Sequence, residues 1–161
     1  MARTDKEICL ILHNLRSAQN VGALFRVADA VGVKKIYLTG YTPASLDRFG
    51  RVNRAVVKTA LGAENYVAWE KFRKISQLIH KLKAAGYKLI ALEQSRKSID
   101  YRKVKIKGLT AIIFGNENRG VNPAILEKCD LIAEIPMRGK KESLNVAVAG
   151  GIFLFQLISN D

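Results

Sequence analysis

The chain has little of the chemistry that holds metals or staples small folds: two cysteines and two histidines in 161 residues. Cys9 and Cys129 lie far apart in apolar surroundings, a spacing that makes neither a metal site nor a disulfide framework. With His13 and His80 as the only imidazoles, a zinc centre is not expected. No charged leader with an apolar core and a small-residue cleavage site opens the sequence, so reduced thiols and a cytoplasmic protein are expected. No apolar run reaches the roughly 18 residues that a membrane span needs. Acidic residues are also scarce, 14 Asp and Glu against 27 Lys and Arg, which leaves a net charge of +13 and a pI near 10.0. Such one-sidedness points to a polyanionic partner, nucleic acid before a membrane surface, with a merely solubilising surface charge as the plainer reading. The excess is local: residues 34–107 hold 18 of the 27 basic residues but 5 of the 14 acidic ones.

What is there is a chain with a hydrophobic fraction of 48%, enough for a real core and against disorder. The length fits one domain spanning residues 1–161, with no repeat or low-complexity segment. Residues 7–15 read as a buried strand. A polar turn follows, in which Asn20 can cap a helix that places Val21, Leu24, Phe25, Ala28 and Val31 on one face and stops at Gly32. A second strand over 34–39 completes a β-α-β unit, hence neighbouring parallel strands. Residues 41–65 are the least regular part, with Arg48, Arg51, Arg54 and Lys58 interleaved with Phe49, a composition that suits either a phosphate-tracking loop or an ordinary surface loop.

Residues 69–85 have the spacing of an amphipathic helix, Phe72, Ile75, Leu78, Ile79 and Leu82 inward and Lys71, Lys74 and Lys81 outward, with His80 on the surface. A third strand spans 87–92, a basic connector 94–107 and a fourth strand 109–114. The fourth strand runs into Gly115-Asn116-Glu117-Asn118-Arg119-Gly120, and Pro123 suits the start of a short helix. No Gly-Lys-Ser/Thr follows, which excludes a P-loop, and no Gly-x-Gly-x-x-Gly follows the first strand, which disfavours an ordinary dinucleotide fold. Residues 131–137 form an apolar strand closed by Pro136. A basic loop ending in Ser143-Leu144-Asn145 leads to a nearly unbroken apolar stretch, 146–158, long enough for a buried helix whose Ala147, Ala149, Gly150 and Gly151 allow close packing. A polar loop between two buried elements commonly serves a small-molecule site, although a plain strand-loop-helix connection has the same pattern.

Three motifs occur in order: Asn20-Val21-Gly22-Ala23-Leu24-Phe25-Arg26, Phe114 to Gly120, and Ile135-Pro136-Met137 with Ser143 to Ala149. Together they span nearly the whole chain and resemble the SPOUT superfamily, more narrowly its TrmH-type RNA ribose 2′-O-methyltransferases. The resemblance implies an α/β fold, a mostly parallel sheet flanked by helices, with its C-terminal part threaded into a trefoil knot. It also implies S-adenosylmethionine as methyl donor, tRNA or rRNA as substrate, a homodimer whose site is completed across the interface, and no metal. Motif matching places cofactor contacts at Leu92, Gly115, Ile135, Met137, Ser143 and Leu144.

The matched catalytic positions are Arg26, Asn20, Glu117, Ser143 and Asn145. Arg26 would act on the ribose hydroxyl. A guanidinium keeps its proton, with a pKa above about 12, so lowering the hydroxyl's pKa while holding the adjacent phosphate is a less demanding role than that of a base. Asn20 would orient Arg26 or the ribose, Glu117 would fix the arginine and its loop, and Ser143 and Asn145 would shape the cofactor loop. Helix capping is the structural alternative for Asn20, Ser143 and Asn145. Many relatives carry a separate RNA-binding domain or helical extensions. Here RNA contact would fall to this domain, through Arg16, Arg48, Arg51, Arg54, Lys97, Arg102 and Lys103. Position 19 is Gln where some relatives have His. An RNA-binding knot without catalysis, a base-methylating SPOUT enzyme and a small α/β enzyme acting on an anionic metabolite remain alternatives.

Overall fold

The computed structural model describes residues 5–159; the outermost residues of the expected 1–161 domain lie outside the described range. Seven strands form one sheet: β1 (Glu7–His13), β2 (Lys35–Thr39), β3 (Ala68–Phe72), β4 (Lys88–Leu92), β5 (Ile99–Asp100), β6 (Leu109–Phe114) and β7 (Leu131–Glu134). Their spatial order is β3-β2-β1-β6-β4-β7-β5 and every neighbouring pair is parallel. Parallel strands need crossover connections and both faces covered, which is why β1 and β6 read as continuous apolar runs rather than alternating ones.

Each face has its own core. Leu10 and Leu12 of β1, Ile36 and Leu38 of β2, and Ile112 and Phe114 of β6 meet the helices α1 (Ala18–Val31), α2 (Arg54–Ala60) and α5 (Val146–Ser159). On the other face Cys9, Ile11, Tyr37, Ala111 and Ile113 meet α3 (Ile75–Ala84) and α4 (Pro123–Leu126). Burial of each such Leu, Ile or Phe stabilises by about 1.5–3 kcal/mol. The first face brings the amino ends of two helices to one place, because α1 and α5 lie side by side on it, with Gly150 of α5 seated against Leu24 and Phe114.

The expected β-α-β start, the strands near 87–92, 109–114 and 131–137, and the C-terminal helix are all present. Three expectations are corrected. Asn20 is not the cap of α1; Ser17 is, in extended conformation with its hydroxyl accepting from the Asn20 amide at 3.2 Å, and Asn20 sits within the first turn. Gly32 ends α1 in the left-handed region, φ 77°. Residues 69–85 are not one helix: residues 68–72 are the edge strand β3, paired with β2, and only Ile75–Ala84 is helical. Trp69 and Phe72, which a helix would place on one face, therefore pack into opposite cores. The stretch 41–65 contains α2, capped by Asn53, whose side chain accepts from the Ala55 amide, and buried through Val56 and Ala60. The basic connector also contributes β5, two residues paired to β7, and a single helical turn Tyr101–Lys103.

Candidate active site

A cavity of about 760 Å³ opens at the carboxyl edge of β4, β6 and β7. Ligands of parallel α/β sheets bind beyond these strand ends. The cavity is walled by three chain reversals, and each has a local cause.

The first follows β6. Asn116 and Gly120 exchange backbone hydrogen bonds at 3.1 and 2.8 Å, closing a tight loop. Gly120 has φ 67°, and a Cβ there would lie 1.9 Å from a Glu93 carboxylate oxygen; a Cβ on Gly115 would lie 2.5 Å from the Gly120 carbonyl group. Glycine is therefore required at both positions. The buried Asn116 fixes this loop. Its side-chain oxygen accepts from the Asn118 and Arg119 backbone amides at 2.9 Å each, and its side-chain nitrogen donates to the Asn14 carbonyl at 2.9 Å and to the Tyr41 hydroxyl at 3.0 Å. Glu93, at the end of β4, accepts from the Val121 amide at 2.8 Å.

The second reversal is the turn from β1 into α1, held by Glu117. One carboxylate oxygen accepts from the Arg16 amide at 3.0 Å. The other accepts from the Ser17 amide at 3.1 Å and from the Asn20 side chain at 3.2 Å. Burial pushes the Glu117 carboxyl up, but the amides of Arg16, Glu117 itself and Ser17, together with the Asn20 side chain, outweigh it. The group is held below its ordinary range and is ionised at neutral pH.

The third is the loop into α5. Asn145 caps that helix, accepting from the Ala147 and Val148 amides at 2.9 and 3.2 Å, while its amide nitrogen donates to the Asn20 side-chain oxygen at 3.0 Å. The three motifs read in the sequence thus become one hydrogen-bonded chain, Glu117 to Asn20 to Asn145 to the amino end of α5. Across the mouth, Gln94 donates to the Glu142 carbonyl at 2.6 Å, tying the β4–β5 connector to this loop.

Leu92, Gly115, Ile135, Met137, Ser143 and Leu144 all line the cavity, as do Asn20, Glu117 and Asn145. Arg26 does not. It stands on the exposed side of α1, about 9 Å along the axis from Asn20 at 1.5 Å per residue, and makes no hydrogen bond or ion pair with the described residues. Glu117 accordingly holds the β1–α1 turn, not the arginine. Arg16, Arg48, Arg51, Arg54, Lys97, Arg102 and Lys103 are all exposed. Arg48, Arg51 and Arg54 lie beyond the carboxyl end of β2, and Lys97, Arg102 and Lys103 flank β5 at the opposite edge of the sheet. Sequence reasoning missed Glu93, Gln94 and Asn116; the signal for Asn116 was an asparagine directly after a strand-terminal glycine, a residue type that bonds loop amides through its own side chain. Among the described residues no group of three or more His, Cys, Asp or Glu could hold a metal ion, and no helix is long and apolar enough to cross a membrane.

Comparison with known proteins bears on the family and the fold. The SpoU rRNA methylase family model matches residues 7–155. The tRNA (guanosine(18)-2′-O)-methyltransferase of Aquifex aeolicus is 31% identical over 97% of this chain and 71% of its own length. The 23S rRNA (guanosine-2′-O-)-methyltransferase of Ralstonia nicotianae is 32% identical over 94% of this chain and 58% of its own. Among solved structures, the AdoMet-bound rRNA methyltransferase of Sinorhizobium meliloti superposes with a TM-score of 0.83 at 29% identity, covering 93% of this chain and 55% of that one. The chain therefore spans between about half and three quarters of the length of these relatives. With its three motifs joined around one cavity and a family match across nearly the whole sheet, the chain belongs to the SpoU rRNA methylase family.

Proposed function

We propose that this protein transfers a methyl group from S-adenosylmethionine to a ribose 2′-hydroxyl of tRNA or rRNA in the cytoplasm. One observation carries the reading: six positions matched to cofactor contacts and the Glu117–Asn20–Asn145 network line the same cavity. The fit to the cofactor rests on the donor set. Leu92, Ile135, Met137 and Leu144 offer apolar surface for a purine ring, glycine-rich backbone allows close approach at Gly115, and the carboxylates of Glu93 and Glu117 suit a ligand with a cationic sulfonium. When bound, the cofactor supplies an electrophilic methyl carbon.

The protein's own work is positioning. Glu117 and Asn145 fix Asn20, and Asn20 presents its amide at the cavity wall. Ser143 lines the loop beside it, with an exposed hydroxyl available to ligand. In-line alignment of the hydroxyl oxygen provides much of the rate, and Arg26 stabilises the developing alkoxide and the neighbouring phosphate while the proton leaves to water.

Arg26 lies off the cavity lining of its own chain, and this supports a homodimer in which a second copy supplies it. Val148, Ile152 and Phe155, at 51%, 38% and 47% exposure, form an apolar stripe on α5 that such a partner would cover. The strand order supports the trefoil knot. β7 lies between β4 and β5, which are consecutive in the chain, so the segment leaving β7 for α5 meets the β4–β5 connector, where Gln94 holds Glu142. RNA is bound through Arg16, Arg48, Arg51, Arg54, Lys97, Arg102 and Lys103.

The test is methyl transfer from labelled S-adenosylmethionine into unmodified tRNA and rRNA, wild type beside Arg26→Ala, with nucleoside analysis of the product. A 2′-O-methylnucleoside made by wild type and lost in the variant, with cofactor binding and melting temperature unchanged, is the expected result. A methylated base would overturn ribose chemistry, and cofactor binding without incorporation into either RNA would overturn catalysis.

A further inference from the structure

The segment after β2 is a built hairpin, not a slack loop. Leu46 and Val52 form an antiparallel bridge, and the Asp47 amide donates to the Arg51 carbonyl at 2.9 Å. The Gly50 amide donates to the Asp47 carbonyl at 3.0 Å, with Gly50 at φ 75° closing the turn. The Asp47 carboxylate braces the inside: one oxygen accepts from the Phe49 and Arg51 amides at 2.8 and 2.9 Å, the other from the Arg51 guanidinium at 2.7 Å. All of this holds Arg48, Phe49 and Gly50 at the tip.

Phe49 is 67% exposed there, and Leu46 and Val52 beside it are 43% and 59% exposed. The Arg48 and Arg51 guanidinium carbons stand 4.7 and 5.0 Å from the ring centroid. The two arginines are not equivalent. Arg51 is tied to Asp47, whereas Arg48 makes no hydrogen bond or ion pair with the described residues. A rigid turn that carries an aromatic ring outward, with one fixed cation over the ring and a second over it that is free to leave, has the parts of a single-strand nucleic-acid contact. The ring stacks on a base, and the released cation meets the phosphate.

We propose that Phe49 is a stacking platform for one unpaired nucleobase of the RNA substrate, with Arg48 taking the adjoining phosphate and Arg51 stiffening the platform. The proposal rests on the reading of the substrate as RNA and narrows it to RNA that presents an unpaired nucleotide beside the methylated one. A paired base offers no free face, so a continuous duplex gains nothing from the ring. The net positive charge of the hairpin favours RNA over an apolar protein partner.

The experiment measures binding by fluorescence anisotropy to two labelled synthetic RNAs, a stem closed by an oligouridine loop and the same stem as a blunt duplex, across a salt series. The proteins are wild type, Phe49→Ala, Phe49→Leu and Phe49→Trp, each also examined for oligomeric state. Phe49→Ala should weaken looped-RNA binding by about 5- to 150-fold, the range for one stacked base, with an unchanged salt slope and little effect on the duplex. Phe49→Trp should retain affinity and Phe49→Leu should lose most of it. Equal affinities for Phe49→Ala and wild type, equal losses on both RNAs, full retention by Phe49→Leu, or a Phe49→Ala variant that changes oligomeric state would each overturn the platform, the last in favour of a protein interface. Wild type that binds neither RNA, with cofactor binding intact, would instead overturn the RNA reading on which the platform depends.

Discussion

Replacing Glu117 by Gln is the sharpest test of the network that joins the three motifs. The carboxylate accepts three hydrogen bonds, from the Arg16 and Ser17 amides and the Asn20 side chain. Glutamine has one acceptor oxygen. Placed to keep Ser17 and Asn20, it turns its amide toward the Arg16 N–H, so one charge-assisted bond is lost and the other two become neutral. A bond to a charged group contributes about 1.5–3 kcal/mol and a neutral one about 1 kcal/mol. The site is half-buried and water can reach Arg16, so the expected net loss is discounted to about 2 kcal/mol. For a domain of this size that corresponds to a fall in Tm of about 4–8 °C.

The sign of the pH dependence is set by the Glu117 shift. Its folded-state pKa is lowered, so its stabilisation is complete above the ordinary carboxylate range and is lost as pH falls through the depressed folded value. Calorimetric melting of wild type and Glu117→Gln should therefore differ most near neutral pH and converge in acid. Equal Tm values at pH 7, or a gap that persists unchanged into acid, would refute the claim that an ionised Glu117 holds the β1–α1 turn. The variant should also lose methyl transfer, because Asn20 is released from one of its two anchors.

Gly22 should be the least replaceable residue of the first motif: a Cβ there would lie 2.0 Å from the Thr59 hydroxyl and 2.2 Å from the Val56 carbonyl of α2, so Gly22→Ala should cost about 3 kcal/mol in denaturant unfolding. Asn145→Ala removes the cap of α5 and the link to Asn20; an exposed cap of this kind is worth about 1 kcal/mol, so a small fall in Tm should accompany a much larger fall in methyl transfer. Arg54→Ala and Lys103→Ala should each weaken RNA binding at low salt and reduce the salt slope by about 1, measured by anisotropy.

The sequence made the strands of the sheet interior legible because burial on two faces leaves an unbroken apolar signature, as in β1 and β6. The edge was not legible. β3 carries Glu70 and Lys71 between Trp69 and Phe72, and over five residues a helical and an extended period cannot be told apart; pairing to β2 decided it. α2 was legible in principle, from Asn53 as cap and the Val56–Ala60 spacing, but its basic residues resembled a loop. At the site, the motifs led to nine of the positions that line the cavity but not to Glu93, Gln94 or Asn116, and capping, the structural alternative weighed for Asn20, Ser143 and Asn145, is what the Asn145 side chain does. The role of Glu117 was not, since its partners are backbone amides about 100 positions away, and an amide has no letter in a sequence.

The position of β7 also governs the order in which the chain can assemble. Among the described residues β5 pairs with β7 alone, Ile99 against Ala133, and β1 finds its β6 neighbour with Glu7 beside Leu109. During synthesis, then, β1 can pair early with β2 but waits for its second neighbour until β6 emerges, and β5 has no strand to rest on until the chain has passed residue 131. Pairing so distant in sequence makes folding slow and leaves open edges exposed in the meantime. A chain cut before β7 would leave the interior strand β4 as an open edge and would lack every cavity-wall residue from Glu134 to Ala149.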